Sequence, residues 1–247
     1  MIGDIWTIMW KEWKEWLFRW GGLRKEGGLL GVLIFVGVFG VFMPLQMGRA
    51  WVDSPVALSY FVWLPFFVVS TVIADSFAGE RERHTLETLL ASRLPDRAIL
   101  LGKVGAAVGY SWGLTMMSMI LGLISVNLVH GHGTLLLYPA TAAWGSAALS
   151  LLVSILAANA GVLVSLRSHT VKQAQQLLSL GFLLLVFVPL FGAKALPREW
   201  TGKLLAAVAT AGPTKVLLVA GALLLGLDLA FLVTVLARFK RSRLLLD

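Results

Sequence analysis

Long apolar runs alternate with short charged segments along the whole chain. Six runs approach or reach the length that a helix needs to cross a bilayer, which is about 20 residues. They cover approximately residues 28–47, 56–74, 104–129, 140–166, 177–191 and 216–237. This pattern predicts an all-α integral membrane protein, with six transmembrane helices in one domain over residues 28–247.

The N-terminal segment has a different pattern, because residues 5–20 carry too many charges to span a membrane. Tryptophans and other apolar residues recur every three or four positions, with charged residues between them. This spacing is typical of an amphipathic helix that lies in the interface, with indole rings at headgroup depth. We therefore expect residues 1–27 to form a cytoplasmic N-terminus that contains such a helix.

Composition supports the membrane assignment. The chain is 58% hydrophobic and 14% charged, with a mean hydropathy of +0.83, which is far too apolar for an ordinary soluble domain. It has no cysteine, which excludes a disulfide, a thiolate metal site and a cysteine nucleophile. Its net charge is +8, but the basic residues cluster beside the apolar runs. Anionic lipid headgroups and topology explain that placement better than nucleic acid does.

The distribution of lysine and arginine predicts the topology. Sixteen of the 21 basic residues lie in residues 1–27, 75–103, 167–176 and 238–247. The other five lie in the alternate connections, including residues 192–215. Because basic loops stay on the cytoplasmic side, we expect both termini and residues 75–103 to be cytoplasmic, and residues 192–215 to be extracellular.

Residues 75–103 are the longest charged connection between two apolar runs. From Ser76 to Leu90 the leucines recur at helical spacing, which predicts a short amphipathic helix. Pro95 ends that pattern, and Asp96 is a suitable N-cap for the next helix. A solvated loop with ordinary surface ion pairs is the simpler interpretation of the charges alone.

The same segment resembles the cytoplasmic loop of ABC-2 type transporter permeases. The resemblance depends on Asp75, Gly79-Glu80-Arg81-Glu82-Arg83, Thr85-Leu86-Glu87, Leu89-Leu90-Ala91 and Gly102-Lys103. The chain departs from the family pattern at His84, where that family usually has glycine, and at Arg93-Leu94, where a proline often comes earlier. In that family the loop contains a coupling helix that docks on a separate ATPase, and an N-terminal "elbow" helix lies on the cytoplasmic face.

The resemblance implies the membrane subunit of an ATP-driven exporter in the cytoplasmic membrane of a prokaryote. Two permease copies, identical or similar, would assemble with two ATPase subunits, and ATP and magnesium would bind to those partners. Leucines of the segment would pack into a cleft on the ATPase, and its charges would set the orientation. The implied coupling residues are Glu80, Arg81, Glu82, Arg83, Thr85, Leu86, Glu87, Leu89 and Leu90.

Motifs for chemistry within the chain itself are missing. Gly102-Lys103 and Gly202-Lys203 lack the earlier glycine and the following serine or threonine of a phosphate-binding loop. We therefore expect no enzyme activity and no cofactor in this chain. His130 and His132 could ligate a metal, but no third ligand is evident, which favours an exposed turn. A membrane scaffold or sensor that recruits a cytosolic partner, and an intramembrane enzyme, are the alternative functions.

Two polar residues lie inside apolar runs. Asp228 either lines a transport path or accepts hydrogen bonds from neighbouring helices, and the sequence does not favour one of these roles. Asn159 is more typical of a hydrogen bond between packed helices. Three glycines spaced four residues apart predict close helix packing. They are Gly105, Gly109 and Gly113.

Overall fold

The computed structural model describes residues 1–21, 28–85, 93–195 and 197–239, and these residues form helices joined by short turns. The first half of the chain contains α1 (Ile2–Gly21), α2 (Gly28–Gly37), α3 (Met43–Met47), α4 (Arg49–Asp53), α5 (Pro55–Ala74) and α6 (Glu80–Glu82). Two π-helical turns, Val38–Phe42 and Asp75–Gly79, connect α2 to α3 and α5 to α6. The second half contains α7 (Asp96–His130), α8 (Ala140–Ser165), α9 (Val171–Ala195) and α10 (Arg198–Arg238).

Within these described residues, four helices are long and apolar enough to cross a membrane. They are Ala57–Glu82, which includes α5 and α6, Asp96–His130, Ala140–Ser165 and Thr210–Arg238. The first predicted span is a shorter apolar helix, Gly31–Met47, which contains the first π turn. The fifth predicted span lies within α9, which is not among the four. The all-helical membrane character is therefore confirmed, whereas six crossings stay a prediction.

The bundle is built around α5 and α8, which form the most extensive helix pair. They approach closely because α8 has a glycine at the contact, where a Cβ atom on Gly161 would collide with Ile73. α7 packs against both of these helices, α10 packs on α8, and α9 contacts both α5 and α8. In α10 the backbone is interrupted at Gly212, which has a φ of 74° and is followed by Pro213.

Buried apolar side chains form two main clusters at different levels of the bundle. One includes Trp51, Phe61 and Met119. There, the indole N–H of Trp51 donates to the Tyr138 hydroxyl at 3.1 Å, and that hydroxyl donates to the carbonyl of Met119 at 3.2 Å. Burial raises the pKa of Tyr138 to about 12, so the hydroxyl keeps the proton that it donates. The second cluster surrounds Phe77 and the first turns of α7. We call that end of the bundle the charged end, because Glu12, Glu80 and Lys103 meet there.

Helix α1 packs along the first half of α7. Ile8 contacts Gly102, and Met9 and Trp13 contact the next two glycines of α7. The face of α1 that packs on α7 contains Ile8, Glu12 and Trp16, whereas Trp6 and Trp10 are 57% and 51% exposed. These exposed tryptophans border the packing face, and the expectation that α1 lies in a membrane interface stays a prediction.

Candidate functional site

A buried lysine lies at the centre of the charged end. The Lys103 side chain is 1% exposed, and its ammonium donates three hydrogen bonds. The acceptors are Glu12 Oε1 at 2.8 Å, Glu80 Oε1 at 2.8 Å and the carbonyl oxygen of Ser76 at 2.9 Å. An ammonium group has three donors, so all three are satisfied. The Phe77 ring lies against the same group, with its centroid 5.4 Å from Nζ.

Each acceptor comes from a different part of the chain. Glu12 is in the middle of α1, Ser76 is in the π turn after α5, and Glu80 begins α6. The second oxygen of Glu12 accepts a longer hydrogen bond, 3.4 Å, from the Ser76 hydroxyl. We call Glu12, Ser76, Glu80 and Lys103 the charge cluster. It joins the N-terminal helix, the charged segment and the start of α7 at one point.

A second lysine, Lys11, lies at the edge of the charge cluster, so that two lysines face its two carboxylates. Two carboxylates face the one ammonium of Lys103, and Lys11 Nζ lies 3.9 Å from Glu80 Oε1. Lys11 is half-exposed and also pairs with Glu15 at 3.3 Å. Because buried carboxylates and ammoniums are costly to desolvate, the cluster depends on having all its partners present.

The next two residues bond the charged segment to the connection between α8 and α9. Arg81 donates from its two terminal nitrogens to the carbonyls of Leu166 at 3.0 Å and Ser168 at 3.1 Å. Glu82 Oε2 accepts the backbone N–H of Val171 at 3.2 Å, at the first residue of α9. A carboxylate at a helix N-terminus is favourable, because the first N–H groups lack partners within the helix.

A third set of contacts holds the π turn in shape. Arg83 donates to Asp75 Oδ1 at 2.7 Å across the turn. Gly79 lies beside this pair, where a Cβ atom would be 2.6 Å from Asp75 Oδ1 and 3.3 Å from Val171 Cγ2. A glycine at this position therefore allows α9 to approach the turn closely.

The helix that continues from α5 ends at a well-defined cap. Thr85 donates its backbone N–H to the carbonyl of Glu80 at 2.9 Å, and His84 donates to that of Arg81 at 3.0 Å. This pair of hydrogen bonds is the Schellman arrangement, in which the residue after the cap adopts a left-handed conformation. His84 has a φ of 56°, as that arrangement requires. The helix expected over residues 76–90 is therefore not continuous, because α6 ends at Glu82, and residues 86–90 lie outside the described residues.

The structure changes the interpretation of the proposed coupling residues. Glu80 is 9% exposed and Arg81 is half-buried, and both bond to other parts of this chain. This differs from the expectation that they meet a partner's charges. Glu82, Arg83 and Thr85 are exposed. Leu86, Glu87, Leu89 and Leu90 lie outside the described residues.

The intramembrane polar residues are both buried. Asn159 is fully buried in α8 and Asp228 is 5% exposed in α10. Neither side chain has a hydrogen-bond partner among the described residues.

The three predicted packing glycines of α7 differ in their surroundings. A Cβ atom on Gly105 would lie 3.2 Å from the Met9 sulfur, and one on Gly109 would lie 3.1 Å from the Trp13 ring. A Cβ atom on Gly113 would have no atom of the described residues within 4 Å. The close packing is therefore present at Gly105 and Gly109, and α1 is the helix that they contact.

The charged groups of the site bond to one another and to backbone groups of the same chain. Lys103 is fully engaged, and the carboxylates bind an ammonium or a backbone N–H. No group of three or more histidine, aspartate or glutamate side chains among the described residues is arranged to hold a metal ion. His130 packs against Gly48, where a Cβ atom would lie 3.1 Å from the imidazole ring.

Sequence reasoning missed Glu12, although the sequence contained a signal for it. Ile8, Glu12 and Trp16 are spaced four residues apart and therefore share one face of α1. A carboxylate on an otherwise apolar, buried face indicates a buried cation partner.

No protein-family model matches the chain, and no curated protein matches its sequence.

Proposed function

We propose that the chain is the transmembrane permease subunit of an ATP-driven ABC-2 type exporter in the cytoplasmic membrane of a prokaryote. In this proposal a separate ATPase binds residues 75–103, and a second permease copy completes the transport path. Six crossings require that the apolar segment of α2 and α3, and also α9, cross the membrane beside the four long apolar helices. Both termini are then cytoplasmic.

The observation that carries the proposal is the bonding of the motif-bearing segment to the rest of the bundle. Within seven residues, Ser76 to Glu82, the segment bonds to α1, to α7 and to the α8–α9 connection. A displacement of this segment by an external partner would therefore move three other parts of the bundle. This is the property required of a segment that transmits force from an ATPase.

The backbone at His84 also supports the resemblance. His84 occupies the left-handed position of the helix cap, with a φ of 56°. Glycine is the residue most often found at such a position, and glycine is what the family pattern has there. The departure at His84 therefore keeps the backbone conformation that a glycine would favour.

The contacts suggest two roles within the coupling set. Glu80 and Arg81 anchor the segment to the bundle, because they are buried or half-buried and bonded internally. Glu82, Arg83 and Thr85 are exposed and remain accessible to a partner. Residues 86–90 follow them in the chain, and their docking role stays a prediction from the sequence.

The experiment is reconstitution of the chain with its ATPase in lipid vesicles. The double variant Glu82→Lys and Glu87→Lys is expected to abolish the stimulation of ATP hydrolysis while the chain still inserts in the membrane. Glu82→Gln keeps an acceptor for Val171 N–H and separates loss of the charge from loss of that hydrogen bond. Asp53→Lys is the control, because Asp53 is an exposed acidic residue at the end of α4, outside residues 75–103.

Unchanged stimulation in the double variant would refute the docking role. If no ATPase co-purifies with the chain, a scaffold or sensor that recruits another cytosolic partner becomes the better hypothesis. Hydrolytic activity of the purified chain alone would favour an intramembrane enzyme.

A further inference from the structure

An apolar groove lies between α1 and α7, away from the charge cluster. Its volume is about 340 Å³, at the lower end of the range for sites that bind small molecules. The walls are almost entirely apolar and include Trp10, Trp13 and Trp16 from α1, and Tyr110, Gly113 and Met117 from α7.

The groove exists because α7 has a glycine where a side chain would fill it. A Cβ atom on Gly113 would have no described atom within 4 Å, whereas at Gly109, one turn earlier, it would lie 3.1 Å from the Trp13 ring. Among the side chains that the structure describes, the two helices are therefore in contact at Gly109 and leave space at Gly113.

The aromatic walls are held in place by contacts of their own. Trp13 donates its indole N–H to the carbonyl of Ala106 at 3.0 Å. The Trp16 ring packs against Tyr110, with centroids 5.5 Å apart. Walls fixed in this way bind an apolar chain without a large ordering cost.

Lys14 lines the groove and supplies its positive charge. It is exposed, and its ammonium lies 5.6 Å from the centre of the Trp10 ring. Among the described residues no carboxylate pairs with it, because Glu15 pairs with Lys11 and Glu12 with Lys103. The Lys14 ammonium is therefore available to an anion outside the protein.

We infer that this groove binds one anionic phospholipid, with an acyl chain between α1 and α7 and its phosphate at Lys14. An apolar cleft with one unpaired ammonium among its described lining residues matches an acyl chain that carries an anionic headgroup. Tryptophan rings with exposed edges suit the boundary between lipid headgroups and acyl chains. The inference depends only on the membrane character of the chain and not on the proposed transport function.

Two variants test the two halves of the inference. Gly113→Leu places a side chain in the groove where no described atom obstructs it, so it should fold and weaken lipid binding by roughly tenfold or more, the equivalent of ~1.4 kcal/mol. Gly226→Leu is its control, because a Cβ atom on that glycine of α10 would also have no described atom within 4 Å. Lys14→Gln should bind phosphatidylglycerol no better than phosphatidylcholine, and Lys172→Gln, at another exposed lysine, should retain the preference.

Native mass spectrometry of the purified chain, titrated with each lipid, measures the affinities. A phosphatidylglycerol that carries a photoreactive group on its acyl chain should crosslink to peptides containing residues 10–16 and 110–117. Unlabelled phosphatidylglycerol should compete with that labelling better than phosphatidylcholine with the same acyl chains does.

Three results would overturn the inference. The first is unchanged affinity in Gly113→Leu, and the second is equal binding of the two lipids by the unmodified chain. The third is a change in the oligomeric state of Gly113→Leu without a change in lipid binding, which would identify a second copy of the chain as the occupant.

Discussion

Replacing Lys103 with methionine tests whether the charge cluster holds α1 and the charged segment to the bundle. Methionine has a similar length and removes only the ammonium. The change leaves the carboxylates of Glu12 and Glu80 facing each other, at 3% and 12% side-chain exposure, without the cation that neutralised them. Loss of one partner of a buried ion pair costs about 3–5 kcal/mol, and solvent at this degree of burial offers little screening.

The expected loss is measurable as opening of α1. Hydrogen exchange followed by mass spectrometry reports how often the backbone amides of α1 lose their protection. A cost of about 3–5 kcal/mol corresponds to exchange faster by roughly a hundredfold to a few thousandfold. Glu12→Gln should cost less, about 1.5–3 kcal/mol, because Lys103 keeps Glu80 and the amide oxygen still accepts a hydrogen bond.

Two controls separate charge pairing from general damage. Lys11→Met is the same chemical change at a half-exposed lysine 3.9 Å from Glu80, and it should cost no more than ~1 kcal/mol. The triple variant Lys103→Met, Glu12→Gln and Glu80→Gln removes every charge of the cluster, so it should be more stable than Lys103→Met alone. A triple variant no more stable than the single one would refute the reasoning.

Three further changes test other parts of the structure. His84→Gly should raise the thermal stability in detergent by about 1 kcal/mol, because glycine adopts the left-handed conformation at that cap without the cost that other residues have; a fall in melting temperature would contradict this. Gly161→Ala should lower the stability by about 1–3 kcal/mol through collision with Ile73, whereas Gly226→Ala, whose Cβ atom would have no described atom within 4 Å, should not. Equal melting temperatures would contradict the close packing of α5 and α8. Asp228→Leu should leave the stability equal or higher, since no described residue pairs with that carboxylate. A clear loss of stability would instead indicate a structural partner. A transport assay on the same variant shows whether Asp228 lines the transport path.

The long apolar helices were predictable, because hydropathy over some 20 residues dominates every local preference. The predicted spans 56–74, 104–129, 140–166 and 216–237 each lie largely within one of the four long apolar helices. The ends of the helices were harder to predict. The start of α7 is an example, because Asp96 was predicted to be the N-cap, whereas Pro95 is the N-cap and Asp96 is the first residue of the helix, two turns before Lys103.

The partners of Lys103 could not be predicted from local sequence. Glu80 is 23 positions away and Glu12 is 91 positions away, so no helical or strand periodicity relates them. A Gly-Lys pair before an apolar run has the same local pattern whether its ammonium faces lipid headgroups, a partner protein or a buried carboxylate. Only the packing of α1 on α7 distinguishes these environments.

That packing changes how the resemblance to the transporter loop is interpreted. Alternating charges in such a segment suggest a surface for a partner, yet in this chain Glu80 and Arg81 bond inward. The residues that follow them, 82 to 85, are exposed, although Glu82 also accepts the backbone N–H of Val171. In the proposed function, an external force on the exposed residues would reach the bundle through the inward-bonded ones, because they are adjacent in the same short helix and turn. If Glu80→Gln uncoupled ATP hydrolysis from transport while the ATPase still bound, transmission and docking would be separate properties of neighbouring residues.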